Sequence, residues 1–284
     1  MKKILLANGC SLVEGSEIGN KQFNYDESID GPNTGVAMFH LMSQEHIDYM
    51  KTHNWASLLA KKLNIPFESL AMGGSSNRRI ARTTMLKLDK LLKTYKPEDI
   101  LVVIGFSDMS RYEVFFDTTG YKPFVINHTF KGQTKEEKEI LKGQENKCES
   151  LVELFTAHFL EILLLKNYLD AKKIDYFLTY GLVQNVVYEY GIDKVDALLS
   201  KFNDAGQFLD LLEFKNIDKW YLPHADFNEH ELGFIKNLYQ SCFYFISSNK
   251  NFPIGTGFHP LEEAHEHFSE ELFKVLEHKY MVPK

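Results

Sequence analysis

Two side chains in this sequence are of the types that perform acyl chemistry together. Ser11 follows an apolar run, Ile4–Ala7, and an Asn8-Gly9 turn signal. His259 stands between a glycine-containing loop and Pro260. A serine hydroxyl becomes a nucleophile when a nearby base, most often histidine, accepts its proton. The pair therefore indicates nucleophilic catalysis, although either residue alone also fits a structural turn serine or a helix-entrance histidine bonded to a backbone carbonyl.

The elements that must position these two residues follow a strand–turn–helix rhythm. Strands are predicted at residues 4–7, 67–71, 100–104 and 174–180, the first and third of them from continuous apolar runs. Each is followed by a turn containing Gly or Ser. Helices are predicted from apolar periodicity or composition at residues 54–63, 78–95, 134–173, 192–202, 229–242 and 261–278. This alternation is typical of a parallel sheet with helices on both faces, and such sheets bind ligands at the carboxyl ends of their strands.

We therefore predict a three-layer α/β/α sandwich of the flavodoxin-like type, with a parallel central sheet of four or five strands, in a single domain over residues 1–284. Two regions depart from the rhythm. A long irregular stretch at about 16–53 is predicted to be an insertion over the site, with a helical piece near 36–42. A variable region at about 112–150 begins with an aromatic hairpin pattern at 112–130, with Gly120 at its turn.

Composition limits the function classes. The chain has 284 residues, a formal net charge of −7 and a pI near 5.9, which argues against nucleic acid as the main partner because phosphate binding needs a basic face. It contains no apolar run long enough for a membrane span and no secretion signal. Its three cysteines are odd in number and widely spaced, as expected of reduced thiols. These features favour a cytoplasmic protein.

Four short blocks, taken together, resemble the SGNH (GDSL) hydrolase superfamily. The segment 9–15, Gly-Cys-Ser-Leu-Val-Glu-Gly, is similar to the Gly-Asp-Ser-Leu-x-x-Gly motif of that family. The turn 71–76, Ala-Met-Gly-Gly-Ser-Ser, is similar to its second block, and 105–108, Gly-Phe-Ser-Asp, to its third block, Gly-x-Asn-Asp. The segment 257–260, Gly-Phe-His-Pro, resembles the end of its last block, Asp-x-x-His-Pro.

The resemblance implies a divergent SGNH hydrolase and assigns roles to its residues. Ser11 would be the nucleophile and His259 the base, while Gly74 and Ser107 would form the oxyanion hole together with the backbone near Ser11. It also implies a small-molecule or glycan ester as substrate, with no cofactor and no metal.

Four positions depart from the family pattern. Ser69 replaces the Asn that often opens the second block. Cys10 replaces an Asp that is not the acid of the family's triad. Ser107 replaces the oxyanion-hole Asn, and losing one such donor costs about 2.7–4 kcal/mol of transition-state stabilisation unless another fills in; Asn77 is the nearest candidate in sequence. Thr256 stands where the triad Asp is expected. Either a carboxylate comes from elsewhere, with Asp226 and Glu262 as candidates, or a backbone carbonyl orients the ring and leaves a Ser-His dyad.

Other constellations are weaker. Asp108 and Arg111 belong to or follow the third block and could contribute to the pocket, but Arg111 could equally form a surface ion pair with Glu113. Cys10 could itself be a nucleophile, although its position should turn the side chain away from the pocket. His265 and His267 suggest metal ligands, yet residues two apart on a helix face apart. The sequence contains neither of the two glycine-rich nucleotide-binding motifs, Gly-x-Gly-x-x-Gly and Gly-x-x-x-x-Gly-Lys-Ser/Thr.

The function predicted from the sequence is hydrolysis of an ester, with an O-acyl or O-acetyl group on a carbohydrate as a candidate substrate. Two alternatives stay open. The same serine could transfer an acyl group to an acceptor other than water. The chain could also be a binding or structural protein on an SGNH scaffold whose catalysis has decayed, a hypothesis that Thr256 and Ser107 favour. The oligomeric state is not indicated by the sequence.

Overall fold

The computed structural model describes residues 2–25, 42–116, 120–125, 135, 138–139, 142, 151–181, 191, 210–214, 216–223, 234–255 and 259–280. The strands among these residues are β1 (Ile4–Gly9), β2 (Phe67–Ser69), β3 (Ile100–Phe106), β4 (Arg111–Phe116), β5 (Gly120–Val125) and β6 (Asp175–Tyr180). The helices are α1 (Ser11–Glu14), α2 (Gln44–His53), α3 (Trp55–Leu63), α4 (Asn77–Leu91), α5 (Leu151–Lys172), α6 (Phe234–Ser241), α7 (Phe243–Asn249) and α8 (Glu262–Tyr280), with a 3-10 turn at Pro97–Asp99.

The central sheet has the strand order β2-β1-β3-β6, and every neighbouring pair runs parallel. A parallel bridge between Leu178 and Trp220 adds a short fifth position beside β6. The order reverses at β1, because the chain passes from β1 to β2 on one side and then to β3 on the other. Sheets of this order hold their ligands in the crevice outside the carboxyl ends of the two strands at the reversal, which here are β1 and β3.

Strand β1 is longer than the sequence predicts, since Asn8 and Gly9 continue it instead of breaking it. The Asn8 carboxamide donates to the Ile80 carbonyl (3.1 Å) and the Thr84 hydroxyl (2.9 Å) of α4. Gly9 pairs with Gly105 of β3. The predicted turn at residues 8–9 is wrong because α4 supplies the partners that a buried Asn needs.

The same strand shows that helices cover both faces of the sheet. Asn8 faces α4, whereas a side chain at Gly105 would meet Trp55 of α3. Gly105 is the register partner of Gly9, and consecutive strand residues face opposite ways. Helix α3 packs against α8 in one layer, and α4 against α5 in the other. The predicted three-layer α/β/α fold class with a parallel central sheet is thus confirmed.

Helix α5 packs its stripe of apolar residues into the core. The buried positions recur at three- or four-residue spacing: Phe155, Phe159, Ile162, Leu165 and Leu169. Its other side carries Leu160 and Leu164, which are about half exposed. No helix in the described part of the chain is long and apolar enough to cross a membrane.

The two irregular regions are only partly as predicted. Strands β4 and β5 form the expected antiparallel hairpin, with Gly120 opposite Phe116. The stretch at 16–53 contains a helix that the sequence reading missed, α2, which begins where Ser43 accepts a hydrogen bond from the His46 amide. Ser43 is a regular N-cap, so the signal was present. The helical piece predicted near 36–42 lies almost entirely outside the described residues.

Candidate active site

Ser11 is held at the carboxyl edge of the sheet by the packing of α1. Val13 lies across the ends of β1 and β3, where a Cβ at Gly9 would come within 2.2 Å of its Cγ2 and one at Gly105 within 2.5 Å. Only glycine leaves that space, so the two strand ends accept α1 closely. Ser11 is the first residue of this helix, and 2% of its surface is exposed.

Ser11, His259 and Glu17 form one hydrogen-bonded row. His259 Nε2 lies 2.9 Å from Ser11 Oγ, and His259 Nδ1 lies 3.0 Å from Glu17 Oε2. The same carboxylate oxygen accepts the His259 backbone N–H at 2.9 Å. The structure therefore brings the two sequence-predicted residues together and adds a carboxylate that was not predicted.

The partners of His259 determine its tautomer. An ionised carboxylate only accepts hydrogen bonds, so the ring contact with Glu17 places the imidazole hydrogen on Nδ1. Nε2 then carries the lone pair and accepts from the Ser11 hydroxyl. This is the arrangement in which a histidine can take a proton from serine.

Glu17 is buried and lies against the segment that carries the histidine. Its side chain is 1% exposed, against 13% for that of His259. A Cβ at Gly255 would lie 2.4 Å from Glu17 Oε1, and the loop closes through Gly255 N–H donating to the His259 carbonyl at 2.8 Å. Glu17 also has φ +70°, a left-handed conformation that costs a non-glycine residue on the order of 1 kcal/mol.

The predicted second block forms a tight turn beside α1. The Ser75 amide donates to the Met72 carbonyl at 3.1 Å, and Gly74 has φ +78°, as the third position of a type II turn requires. The Met72 amide donates to the Gly9 carbonyl at 3.2 Å, so the turn lies against the end of β1. The backbone N–H groups of Ser11 and Gly74 donate to no residue within the described ranges.

The third block is tied to α4 and α5 by a neutral network. The Asn77 carboxamide donates to the Ser107 carbonyl and accepts from the Ser107 amide, both at 2.8 Å. Its second hydrogen points at His158 Nδ1, 2.7 Å away, and His158 Nε2 lies 3.0 Å from the Tyr180 hydroxyl. Asn77 is therefore fully used, and the expectation that it could replace the missing oxyanion donor is wrong.

Ser107 Oγ is buried and has no hydrogen-bond partner among the described residues. Its neighbour Asp108 shapes the following turn, because its carboxylate accepts the Ser110 amide at 2.8 Å. Arg111 is half-buried, and two of its guanidinium nitrogens lack partners within the described ranges. The suggested pair of Arg111 with Glu113 does not form, since both oxygens of Glu113 bind Arg82 at 2.9 and 3.0 Å.

The remaining candidates have other surroundings. Thr256 and Asp226 lie outside the described residues. Glu262 does not contact the His259 ring in any described hydrogen bond; it accepts the Gly19 amide at 2.8 Å. A Cβ at Gly181 would lie 3.4 Å from Cys10 Sγ, so the thiol packs against the end of β6.

The two helix histidines suggested as metal ligands are engaged separately. His265 is buried and accepts the Trp55 amide at 3.0 Å, whereas His267 lies 2.7 Å from Lys250 Nζ. Burial lowers the pKa of His265 to about 3, so it is neutral near pH 7. No group of three or more His, Cys, Asp or Glu within the described ranges is arranged to hold a metal ion.

Glu17 was not predicted from the sequence, in which only Asp226 and Glu262 stood as candidates for the carboxylate. The available signal was weak: an acidic residue between two glycines, Gly15 and Gly19, six positions after the serine. Glu14, which is buried and accepts the Gly73 amide at 2.7 Å, was also not predicted. Neither side chain belongs to an apolar periodicity that would have indicated burial.

Comparisons with known proteins give a partial match to one family model and several distant structural likenesses. Residues 42–182, just under half of the chain, match the model of a family of unknown function (DUF6071). That range contains Gly74 and Ser107 but not Ser11, Glu17 or His259. A comparison with curated proteins finds no significant match.

The similar solved structures share little sequence with this chain. One is a carbohydrate esterase whose active site displays divergent catalytic and non-catalytic binding functions, at 11% identity and TM-score 0.44, covering 98% of this chain and 69% of that chain. Another is a Corynascus thermopiles (Myceliophthora fergusii) carbohydrate esterase family 2 enzyme with a carbohydrate binding domain. It is 10% identical with a TM-score of 0.46, and the match covers 99% of this chain and 68% of that chain. A third is TesA, at 13% identity and a TM-score of 0.43, and the match covers 96% of this chain and 98% of the TesA chain.

Proposed function

We propose that this protein is a serine ester hydrolase of the SGNH type, with Ser11 as nucleophile, His259 as general base and Glu17 as the carboxylate that orients the base. One observation carries the proposal: the unbroken row of hydrogen bonds from Ser11 Oγ through the His259 ring to Glu17, with distances of 2.9 and 3.0 Å. Nucleophile, base and orienting group within hydrogen-bond reach are the geometric mark of an activated serine.

The reaction follows from these contacts. Ser11 Oγ attacks the carbonyl carbon of the ester while His259 Nε2 takes the hydroxyl proton. The imidazolium that forms is stabilised by Glu17, which stays ionised. The tetrahedral intermediate collapses, and His259 gives the proton to the leaving alcohol oxygen. A water molecule, deprotonated by the same ring, then attacks the acyl-serine and releases the acid.

The negative charge on the carbonyl oxygen needs donors in place before the reaction. The Ser11 and Gly74 backbone N–H groups have no partner within the described chain, and we assign them to the oxyanion hole. The Ser107 hydroxyl, buried and likewise unpartnered there, is the third donor. Such preorganised donors supply a large share of the rate, with about 10²–10³-fold lost for each one removed.

The geometry bears on the alternatives that the sequence left open. The hypothesis of a decayed site rested on Thr256 and Ser107. At Thr256 the concern was that a histidine without a carboxylate partner is poorly oriented. Glu17 supplies that partner at 3.0 Å, which favours a working triad over a dyad or a decayed scaffold. Ester hydrolysis, with an O-acyl group on a carbohydrate as the first substrate class to examine, remains the preferred function over acyl transfer.

The test is labelling by a fluorophosphonate probe, which reacts with activated serines, in the wild type and in Ser11→Ala. We expect labelling of the wild type only, and loss of labelling in His259→Ala. Hydrolysis of p-nitrophenyl acetate and of an O-acetylated sugar should follow the same pattern. A folded wild type that is not labelled, or a Ser11→Ala variant that keeps its esterase activity, would refute the proposal.

A further inference from the structure

The buried carboxylate of Glu14 lies on the nucleophile's own helix, three residues after Ser11, yet it takes no part in the triad. Its Oε2 accepts the Gly73 backbone N–H at 2.7 Å and lies 3.4 Å from the Ser16 hydroxyl. The side chain is nearly removed from water, and a buried carboxylate is stabilised when it accepts such hydrogen bonds. Glu14 thus links α1 directly to the turn that contains Gly74.

The Gly73 bond acts on the neighbouring peptide. The turn from Met72 to Ser75 is closed by the Ser75 amide and the Ser75 hydroxyl, which both donate to the Met72 carbonyl, at 3.1 and 2.6 Å. The orientation of the peptide between Gly73 and Gly74 decides where the Gly74 N–H points. Glu14 holds the peptide just before it, so the carboxylate limits how far the turn can rotate.

A second clamp holds the same turn from its other side. Arg79 of α4 donates to the Leu70 carbonyl at 3.2 Å and to the Ser75 hydroxyl at 3.0 Å. Burial lowers the pKa of Arg79, and the charges of Glu113 and Glu14 oppose that effect. The turn is therefore held between a carboxylate from the nucleophile helix and a guanidinium from α4.

We propose that Glu14 is a positioning residue for the oxyanion hole: through the Gly73 N–H it holds the Gly74 N–H in fixed relation to the Ser11 N–H. This inference rests on the proposed function. Donors aimed at a developing charge lose most of their value when displaced, and a misplacement of about 1 Å can cost about a hundredfold in rate. A single four-residue helix then sets both the nucleophile and one wall of the oxyanion hole.

The experiment compares Glu14→Ala, Glu14→Asp and Glu14→Gln on p-nitrophenyl acetate. Glu14→Ala should lower kcat about tenfold to a hundredfold with KM changed less than about twofold, because the contact acts in the transition state. Glu14→Asp, one methylene shorter, should fall between Glu14→Ala and the wild type. Glu14→Gln keeps an acceptor oxygen and should recover most of kcat.

Glu113→Ala is the matched control. It also removes a buried carboxylate, and it breaks the pair with Arg82, but it does not touch the turn; it should lower thermal stability with kcat within about threefold of the wild type. Equal loss of kcat in Glu113→Ala and Glu14→Ala, or unchanged kcat in both Glu14→Ala and Glu14→Asp, would overturn the inference. Either result, obtained while activity still depends on Ser11, leaves the proposed function standing.

Discussion

Two histidines in this molecule make similar contacts but differ in the kind of group that holds the ring on one side. Each ring lies between a hydroxyl and a second polar side chain. His259 connects Ser11 Oγ at 2.9 Å to Glu17 at 3.0 Å. His158 connects the Tyr180 hydroxyl at 3.0 Å to the Asn77 carboxamide at 2.7 Å.

The second partner makes the difference. Asn77 is fixed by its two bonds with the Ser107 backbone, so its nitrogen faces His158 and donates. His158 Nδ1 must accept, which leaves the ring hydrogen on Nε2, facing the tyrosine oxygen. At His259 the carboxylate imposes the opposite tautomer, and the ring accepts from serine.

Burial adds to this contrast. Burial lowers the pKa of His158 to about 3 and raises that of Tyr180 well above its ordinary value, so both stay neutral at physiological pH. His158 is a donor to a hydroxyl and cannot take its proton. A hydroxyl–imidazole contact therefore identifies a candidate base only when the third group is an acceptor.

The sharpest test of this contrast is Glu17→Gln, which makes the third partner of His259 resemble that of His158. The neutral carboxamide cannot stabilise an imidazolium and can present a donor to the ring. We expect kcat on p-nitrophenyl acetate to fall by about 10²–10⁴-fold, the upper limit being the loss of about 10⁴-fold known for a triad aspartate replaced by asparagine. Circular dichroism should show an unchanged fold, and a loss below about tenfold would contradict the role of Glu17.

A smaller effect is expected from Gly255→Ala. The new Cβ would lie 2.4 Å from Glu17 Oε1, so the carboxylate or the loop must shift while every triad residue is kept. Turnover should fall about tenfold to a hundredfold through misorientation of the ring. The rate of fluorophosphonate labelling should fall in parallel, and unchanged labelling would mean that the loop adapts without moving His259.

His158→Gln should affect stability more than activity. Glutamine can still contact Asn77 and Tyr180 but fills the site less well, and disrupting a buried hydrogen-bonded group costs about 1–3 kcal/mol. Since His158 exchanges no proton with Ser11, kcat should stay within about threefold of the wild type. Urea denaturation measures the first quantity, and a hundredfold loss of kcat at normal stability would give His158 a catalytic role.

The smallest predicted effect is on the pH dependence of stability. The ordinary pKa of His158 is 6.5, and burial lowers it to about 3 in the folded protein. Below pH 6.5 the unfolded chain binds a proton that the folded protein does not, so this group lowers stability as the pH falls towards 3. His265 acts in the same direction.

Removing His158 should therefore reduce the number of protons taken up on unfolding by up to one in that range. The measurement is the slope of unfolding free energy against pH for the wild type and His158→Gln. Glu161 acts in the opposite direction between about pH 4.5 and 7, because burial raises its pKa to about 7, but it contributes equally to both proteins. Identical slopes would mean that His158 titrates normally.

Much of the fold could be predicted from local patterns. Strand β3 is a continuous apolar run, and both β3 and β6 were predicted to within two residues. The turn after β2 contains Gly74, whose positive φ such a turn requires. The error at Asn8 arose because its partners, on α4, are 72 or more positions away in sequence. A turn-forming residue and a buried strand residue with distant partners look the same locally.

The residues of the candidate site likewise differ in whether local sequence could indicate them. Ser11 and His259 could be indicated because each occupies a recognisable turn, and the structure brings them together. Glu17 could not be indicated in this way. Its position depends on its own left-handed backbone conformation and on its contact with Gly255, which lies 238 positions later in the sequence. The same holds for Glu14, whose partner lies 59 positions away.

The sequence positions of Ser11, Glu17 and His259 determine when their row of hydrogen bonds can form during synthesis and folding. Its nucleophile and its carboxylate lie six residues apart, but its base is 248 positions beyond the serine. Contacts that far apart in sequence form late, since the loop between them must be closed first. Under the proposed function, a chain that still lacks His259 leaves Ser11 without its base, so ester hydrolysis by this route begins only after the loop before α8 has docked.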